Sequence, residues 1–350
     1  MTATFHFEYF DRRPDDPPNS DLIVFVHGFI GDLAATWDQF PALLSSDPDL
    51  PALDILLCGY RSRFLRWDPD IPRTGKRVIS ELDVQAATDT RIFLVGHSMG
   101  GLVILSGLAE ACRDGYAQQK PTANIAWVTL FASPTMGSEA AGSFKYLIGL
   151  LRLFPTRILA WAVSTRQLRQ LARGTFVDEL LREVMQRLYC TDIAPGDMNT
   201  KRYINIRVVI GDDDRVVTES SARGLFHRLP PRYVTGTHST MKEPTHHRDS
   251  RYLALTSDIT ECLRAEFSTL CAQCLAGDHQ AQSRFTRQWE RAMRSRLDKV
   301  FRDDANTAER RQSLRALTWR LGAADASLTP GRALDAAMVE LTYPHEGRPA

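Results

Sequence analysis

The chain has 350 residues, a length that suits one large α/β core plus an insertion or an appended module. Hydrophobic residues at 43%, charged residues at 24% and a formal net charge of +1 are ordinary for a globular protein. No charge surplus points to nucleic acid, so none is expected as a partner, and function has to be read from motifs.

Phe5, Phe7 and Tyr9 alternate with other residues ahead of the break at Asp15-Asp16-Pro17-Pro18, which predicts a short edge strand and a turn. Four apolar runs follow, Leu22 to Val26, Ile55 to Cys58, Ile92 to Val95 and Ile125 to Phe131, with room for helices between them. Continuous apolar runs of this length are the mark of parallel strands buried on both faces. Leu102 to Cys112 is small and apolar but for Ser106 and Glu110 and reads as a helix against that sheet.

From Pro134 to Thr200 the pattern turns helical, and a further strand, Ile204 to Ile210, resumes the sheet only afterwards, so 134–200 is expected to be a helical lid insertion. A short strand around Tyr233 and Val234 then leads to a histidine-rich loop. Tyr252 to Phe267 reads as the closing helix of an α/β domain spanning 1–268. Beyond it, the apolar series Phe285-Trp289-Met293-Leu297-Val300, Leu314-Leu317-Leu321 and Leu334-Met338-Leu341 predict three amphipathic helices in an accessory domain, 269–350. Removing 275–350 is accordingly expected to spare the chemistry and alter assembly or partner binding.

The six cysteines, Cys58, Cys112, Cys190, Cys262, Cys271 and Cys274, are scattered and several fall in apolar stretches, so they read as reduced thiols. Cys271 and Cys274 form a lone CxxC without a second ligand pair, and neither a metal nor a cofactor is expected. Residues 1–20 hold no apolar signal-type segment, and no run of eighteen apolar residues occurs. The expectation is a cytoplasmic protein.

The chemistry starts at Gly96-His97-Ser98-Met99-Gly100, where an apolar strand runs into G-x-S-x-G and then into an apolar helix. That context predicts a sharp turn that lifts the Ser98 hydroxyl above the sheet edge, with Gly96 and Gly100 where a Cβ would clash. A bare G-x-S-x-G could also be a glycine-flanked turn with a hydroxyl cap, but the strand before it and the helix after it favour a nucleophile. The spacing of the same glycines excludes a dinucleotide or P-loop phosphate cradle. His97, in the variable position, is expected to serve steric fit alone.

A serine nucleophile needs oxyanion donors, a base and an acid that orients the base. His27-Gly28-Phe29 follows the first core strand, and the N–H groups of Phe29 and Met99 are the candidate oxyanion donors; His27 is expected to be a satisfied buried imidazole. Asp212, Asp213 and Asp214 lie in one loop after the resumed strand, and one of them is the expected acid. His238, in the loop after the last strand, closes the order Ser, Asp, His and is the expected base, with His246 and His247 as surface histidines.

With these residues the chain resembles the α/β-hydrolase superfamily, and within it lipase-like serine esterases carrying a GHSMGG elbow and an HG-x oxyanion loop. The resemblance covers about residues 20–268. It implies an α/β-hydrolase fold with a mostly parallel sheet, a carboxylic-ester hydrolase working through an acyl-enzyme, and the GxxDxxV pattern of Gly211, Asp214 and Val217, which assigns the acid to Asp214. The run HSTMKEP, from His238, is similar to the HS-x-x-x-KP region of lipid-acting relatives of the SERAC and PGAP type, departing from it at Glu243. An ester or lipid substrate is therefore expected. The apolar stretches Tyr146 to Phe154 and Ile158 to Val163 would allow the lid to cover an acyl chain or touch a membrane surface peripherally. The alternative is an effector whose hydrolase or acyltransferase domain is gated by the C-terminal helices, which would bind a protein partner or self-associate.

Overall fold

The computed structural model describes residues 5–10, 21–28, 36–47, 49–50, 53–60, 70–86, 90–116, 119, 121–135, 174–188, 204–286 and 307–342. Among them a seven-stranded sheet forms from β1 (Phe5–Phe10), β2 (Asp21–Val26), β3 (Asp54–Tyr60), β4 (Arg91–His97), β5 (Ile125–Phe131), β6 (Asn205–Gly211) and β7 (Arg232–Val234), in the order β1-β3-β2-β4-β5-β6-β7. Only β1 is antiparallel to its neighbour. The mostly parallel α/β architecture expected from the apolar runs is thus the one observed.

The strand interiors explain themselves. Every residue of β2 and β3 is buried, and β4 is buried from Ile92 onward, so each side-chain direction of these strands is a core direction. The alternating, partly exposed side chains of β1 suit the edge position it takes beside β3. On the core, the rings of Phe25 and Trp37 lie 4.7 Å apart, and Phe40 and Phe131 close the same aromatic cluster.

Between the parallel strands lie α1 (Phe40–Ser46), α2 (Ile71–Gln85), α3 (Met99–Arg113), α4 (Gly174–Arg187) and α5 (Glu219–Arg223). Asp70 caps α2 by accepting the Arg73 N–H at 2.9 Å, with Pro72 in the first turn where a missing N–H costs nothing. Of the fifteen residues of α3, only Glu110 and Arg113 escape burial, which a helix wedged between the sheet and α2 requires.

Of the segment 134–200, expected to be a helical lid insertion, residues 134–135 and 174–188 are described. Gly174–Arg187 form α4, whose Leu180 and Val184 are buried, as is Leu188 just after it, and whose Glu183 pairs with Arg113 of α3. Parallel strands need a crossover to join them, and α4, packed on α3, supplies the return from β5 to β6. The apolar stretches 146–154 and 158–163 lie outside the described residues.

The chain divides into two compact units, residues 1–41 with 54–254, and 42–53 with 255–350. The division expected at 268 falls inside α6 (Ser250–Leu275), a 26-residue helix that nothing in Glu266-Phe267-Ser268-Thr269 would break, since no Gly or Pro occurs there. The second unit also holds α7 (His279–Phe285), α8 (Thr307–Ala324) and α9 (Pro330–Thr342). Phe267, Leu270, Cys271 and Cys274 of α6 form a core of their own with Phe285, Leu314, Leu334 and Ala337. Cys271 and Cys274 are free, and burial pushes their thiols up to about 12 and about 11. Trp289, Met293, Leu297 and Val300 lie outside the described residues. Among those described, no helix is long and apolar enough to cross a membrane.

Candidate active site

The sheet order places the site. The chain moves outward from β2 to β3 and then returns to the other side of β2 as β4, so β2 and β4 flank a switch point. The parallel register pairs Val26 with Gly96, His97 with Phe131, and Gly211 with Val234, which brings the loops after β2, β4, β5, β6 and β7 to one edge.

At that edge Ser98 joins β4 to α3 with φ 53° and ψ −123°, a backbone region that non-glycine residues avoid at a cost of about 1–3 kcal/mol. Its N–H donates to the Phe131 carbonyl at 2.8 Å, and its carbonyl accepts from Gly101 N–H at 3.1 Å, so neighbouring strand and following helix both hold the turn. The two glycines are needed for approach. A Cβ on Gly96 would sit 2.7 Å from the Gly101 main chain, and one on Gly100 would sit 2.2 Å from the Val26 carbonyl oxygen.

His238 and Asp214 come from the loops after β7 and β6. Ser98 Oγ lies 3.1 Å from His238 Nε2, and His238 Nδ1 lies 2.9 Å from Asp214 Oδ2. An ionised Asp214 can only accept, which assigns the His238 proton to Nδ1 and leaves Nε2 to accept from the serine hydroxyl. The second carboxylate oxygen of Asp214 accepts the N–H groups of Val216 at 2.8 Å and Val217 at 2.9 Å, so its orientation is built into its own turn. The Asp214 side chain is 1% exposed, whereas Asp212 and Asp213 face solvent. Ser98, His238 and Asp214, named from sequence as nucleophile, base and acid, therefore lie in one hydrogen-bonded chain. His246 accepts the Arg248 N–H and is exposed, and His247 packs edge-on to Tyr252.

Of the two expected oxyanion donors, Met99 is among the described residues. Met99 N–H opens α3 and has no acceptor within its helix, where the helix field also favours negative charge. Gly28 lies against the serine, since a Cβ added there would come within 2.9 Å of the Ser98 Cβ. Phe29, the other expected donor, lies outside the described residues.

Two neighbours carry no sequence signal of their role. His27 Nδ1 donates to the Gly28 carbonyl at 2.7 Å, while its Nε2 accepts the Tyr60 N–H at 3.1 Å. The Tyr60 hydroxyl in turn donates to the His27 carbonyl at 2.6 Å, and the two rings stack 4.4 Å apart. His27 is the satisfied buried imidazole expected, but its clamp on Tyr60, from the next strand, depends on a sheet pairing that spacing does not reveal. Burial raises the Tyr60 phenol well above its ordinary pKa, keeping it protonated as that donor. His97 donates its Nε2–H to the main-chain oxygen of His238 at 2.8 Å, more than the steric role expected of it. Lys242 of the HSTMKEP run is buried and pairs with Glu243 at 3.0 Å, so the residue that departs from the family pattern neutralises the lysine beside it.

Residues 23–249 match the alpha/beta hydrolase family. SERAC1 of Danio rerio is 24% identical over 167 residues, covering 39% of this chain and 25% of that protein, so the chain spans about a quarter of that relative's length. Among solved structures, YbtT, a type II thioesterase from the yersiniabactin NRPS/PKS biosynthetic pathway, aligns at 16% identity and a TM-score of 0.43 over 75% of this chain and 97% of its own. The Bacillus licheniformis lipase BlEst2 aligns at 16% identity and a TM-score of 0.43, over 74% and 97% of the two chains. With the match running through 23–249, more than half its length, the chain belongs to the alpha/beta hydrolase family.

Proposed function

We propose that the protein is a serine hydrolase of carboxylic esters, with Ser98 as nucleophile, His238 as general base and acid, and Asp214 as the group that orients and stabilises His238. The observation that carries this reading is the hydrogen-bonded chain from Ser98 Oγ through both His238 nitrogens to Asp214 at a strained elbow. Ser98 Oγ attacks the ester carbonyl carbon as its proton passes to His238 Nε2. The resulting oxyanion is met by Met99 N–H and, from the HG-x loop, Phe29 N–H. Collapse breaks the bond to the alcohol, which leaves with the proton from His238. Water then attacks the acyl-enzyme with His238 again taking its proton, and the carboxylic acid and Ser98 are released. The apolar stretches at 146–154 and 158–163 favour an acyl-lipid-like substrate over a small ester.

Fluorophosphonate labelling of the pure chain, followed by turnover of p-nitrophenyl esters of increasing acyl length, tests both levels. Labelling on Ser98 with turnover rising toward longer chains is expected. Labelling elsewhere overturns the mechanism, and a preference for acetate overturns the acyl-lipid assignment alone.

A second reading, regulation by the C-terminal helices, draws on the separate core of the second unit. Removing 275–350 takes away Phe285, Leu314, Leu334 and Ala337, and leaves Phe267, Leu270, Cys271 and Cys274 of α6 uncovered. Each large buried side chain contributes about 1.5–3 kcal/mol through burial. The truncated chain is therefore expected to aggregate rather than lose a detachable module, as light scattering would show; a monodisperse product with native ester turnover would restore the view of an independent module.

A further inference from the structure

His97 is a buried ionisable group to which the chemistry above gives no part. It is 6% exposed, precedes the nucleophile directly, and donates Nε2–H to the His238 main-chain oxygen at 2.8 Å, across 141 residues of sequence. The two imidazoles stand 4.8 Å apart, tilted by 45°. These contacts close a small ring of bonds: His97 is joined covalently to Ser98, hydrogen-bonded to the His238 main chain, and the His238 side chain returns to Ser98 Oγ at 3.1 Å. Asp214 therefore fixes the His238 ring at Nδ1, and His97 fixes the backbone from which the ring hangs.

The surroundings suit a fixed donor. The far side of the His97 ring is closed by Gly28, whose added Cβ would come 3.3 Å from Nδ1, and by the edge of Trp37, 6.4 Å between centroids. Burial first, and then the charges of His238 and Lys242 with a smaller effect from His27, hold the His97 imidazole well below the ordinary histidine pKa, against the pull of its hydrogen bond. It stays neutral. That matters because His238 becomes an imidazolium in each acyl transfer, and a second cation beside it would oppose that charge.

We infer that His97 is a positioning residue: its Nε2–H latches the loop carrying the base to the elbow carrying the nucleophile and sets the Ser98–His238 hydrogen bond. The inference rests on the Ser98–His238–Asp214 reading. Three variants of the full chain test it, with p-nitrophenyl ester turnover, fluorophosphonate labelling rate and thermal melting measured on each. His97→Asn, whose amide ends short of the Nε2 position, and His97→Phe, which fills the space without donating, should lose about ten- to a hundredfold in kcat, as ångström-scale misplacement of a catalytic group does. Their KM should stay within about twofold, and labelling should slow in step. His97→Gln, whose amide reaches the Nε2 position, should recover most of that loss.

Wild-type turnover in the Asn and Phe variants overturns the latch. So does a Gln variant as slow as Asn, because the ring's shape and not its donor would then be what counts. If the Phe variant does not fold, the Gln–Asn pair decides. Ser98→Ala and His238→Ala run alongside: activity retained in those two defeats the underlying mechanism, whereas activity lost in them but unaffected by the His97 series defeats only the latch.

Discussion

Replacing Ser98 by alanine is expected to abolish ester turnover, with a loss on the order of a millionfold in kcat, or about 8 kcal/mol of transition-state stabilisation. Alanine offers no atom to form the acyl-enzyme, and the oxyanion donors and His238 can then only assist water. The fold should survive, because the turn is held by main-chain bonds from Ser98 N–H to Phe131 and from Gly101 N–H to the Ser98 carbonyl, which alanine keeps. The φ of 53° and ψ of −123° make a further distinction. Glycine takes the mirror of an ordinary extended conformation freely, so Ser98→Gly should be equally inactive yet melt higher than Ser98→Ala, by the release of about 1–3 kcal/mol of strain. Calorimetry on the two inactive proteins, beside turnover and probe labelling, checks both statements; fluorophosphonate labelling undiminished in either would remove Ser98 from the mechanism.

The second large effect falls on Asp214. In Asp214→Asn the remaining carbonyl oxygen can still accept from Val216 and Val217, which fixes the amide nitrogen toward His238. An N–H facing Nδ1 forces the imidazole proton onto Nε2, where it points at Ser98 and cannot accept the hydroxyl proton. Turnover should drop about ten-thousandfold while the melting temperature barely moves, the loss a wrong tautomer produces in serine triads. Asp212→Asn and Asp213→Asn should be nearly silent: their side chains face solvent, and the bonds that matter there are their main-chain N–H groups, donated to the Val234 and Gly236 carbonyls. Steady-state kinetics on the three asparagine variants gives the ranking, and a larger loss at Asp212 than at Asp214 would move the acid.

The sequence by itself determined what is local. Runs such as Leu22 to Val26 and Ile92 to Val95 read as strands buried on both faces, because no polar side chain interrupts them, and every residue of these two runs is buried. The elbow was equally legible, since a glycine-flanked serine between an apolar strand and an apolar helix leaves little else for that backbone to do. Chain order after Ser98 limited the acid to one loop and singled out His238 in the next.

Only the tertiary structure decided what depends on distant partners. It brought His238 within hydrogen-bond reach of Asp214, the aspartate that the GxxDxxV resemblance had already singled out, across 24 residues of sequence. It decided that β4 returns beside β2, creating the switch point, and that Gly174–Arg187 is a crossover helix packed on α3. It joined His27 to Tyr60 and His97 to the His238 main chain, contacts spanning 33 and 141 residues. Side chains of these types fit a buried wall as well as a hydrogen-bonded clamp, and no spacing rule separates the two until the strands carrying them are paired.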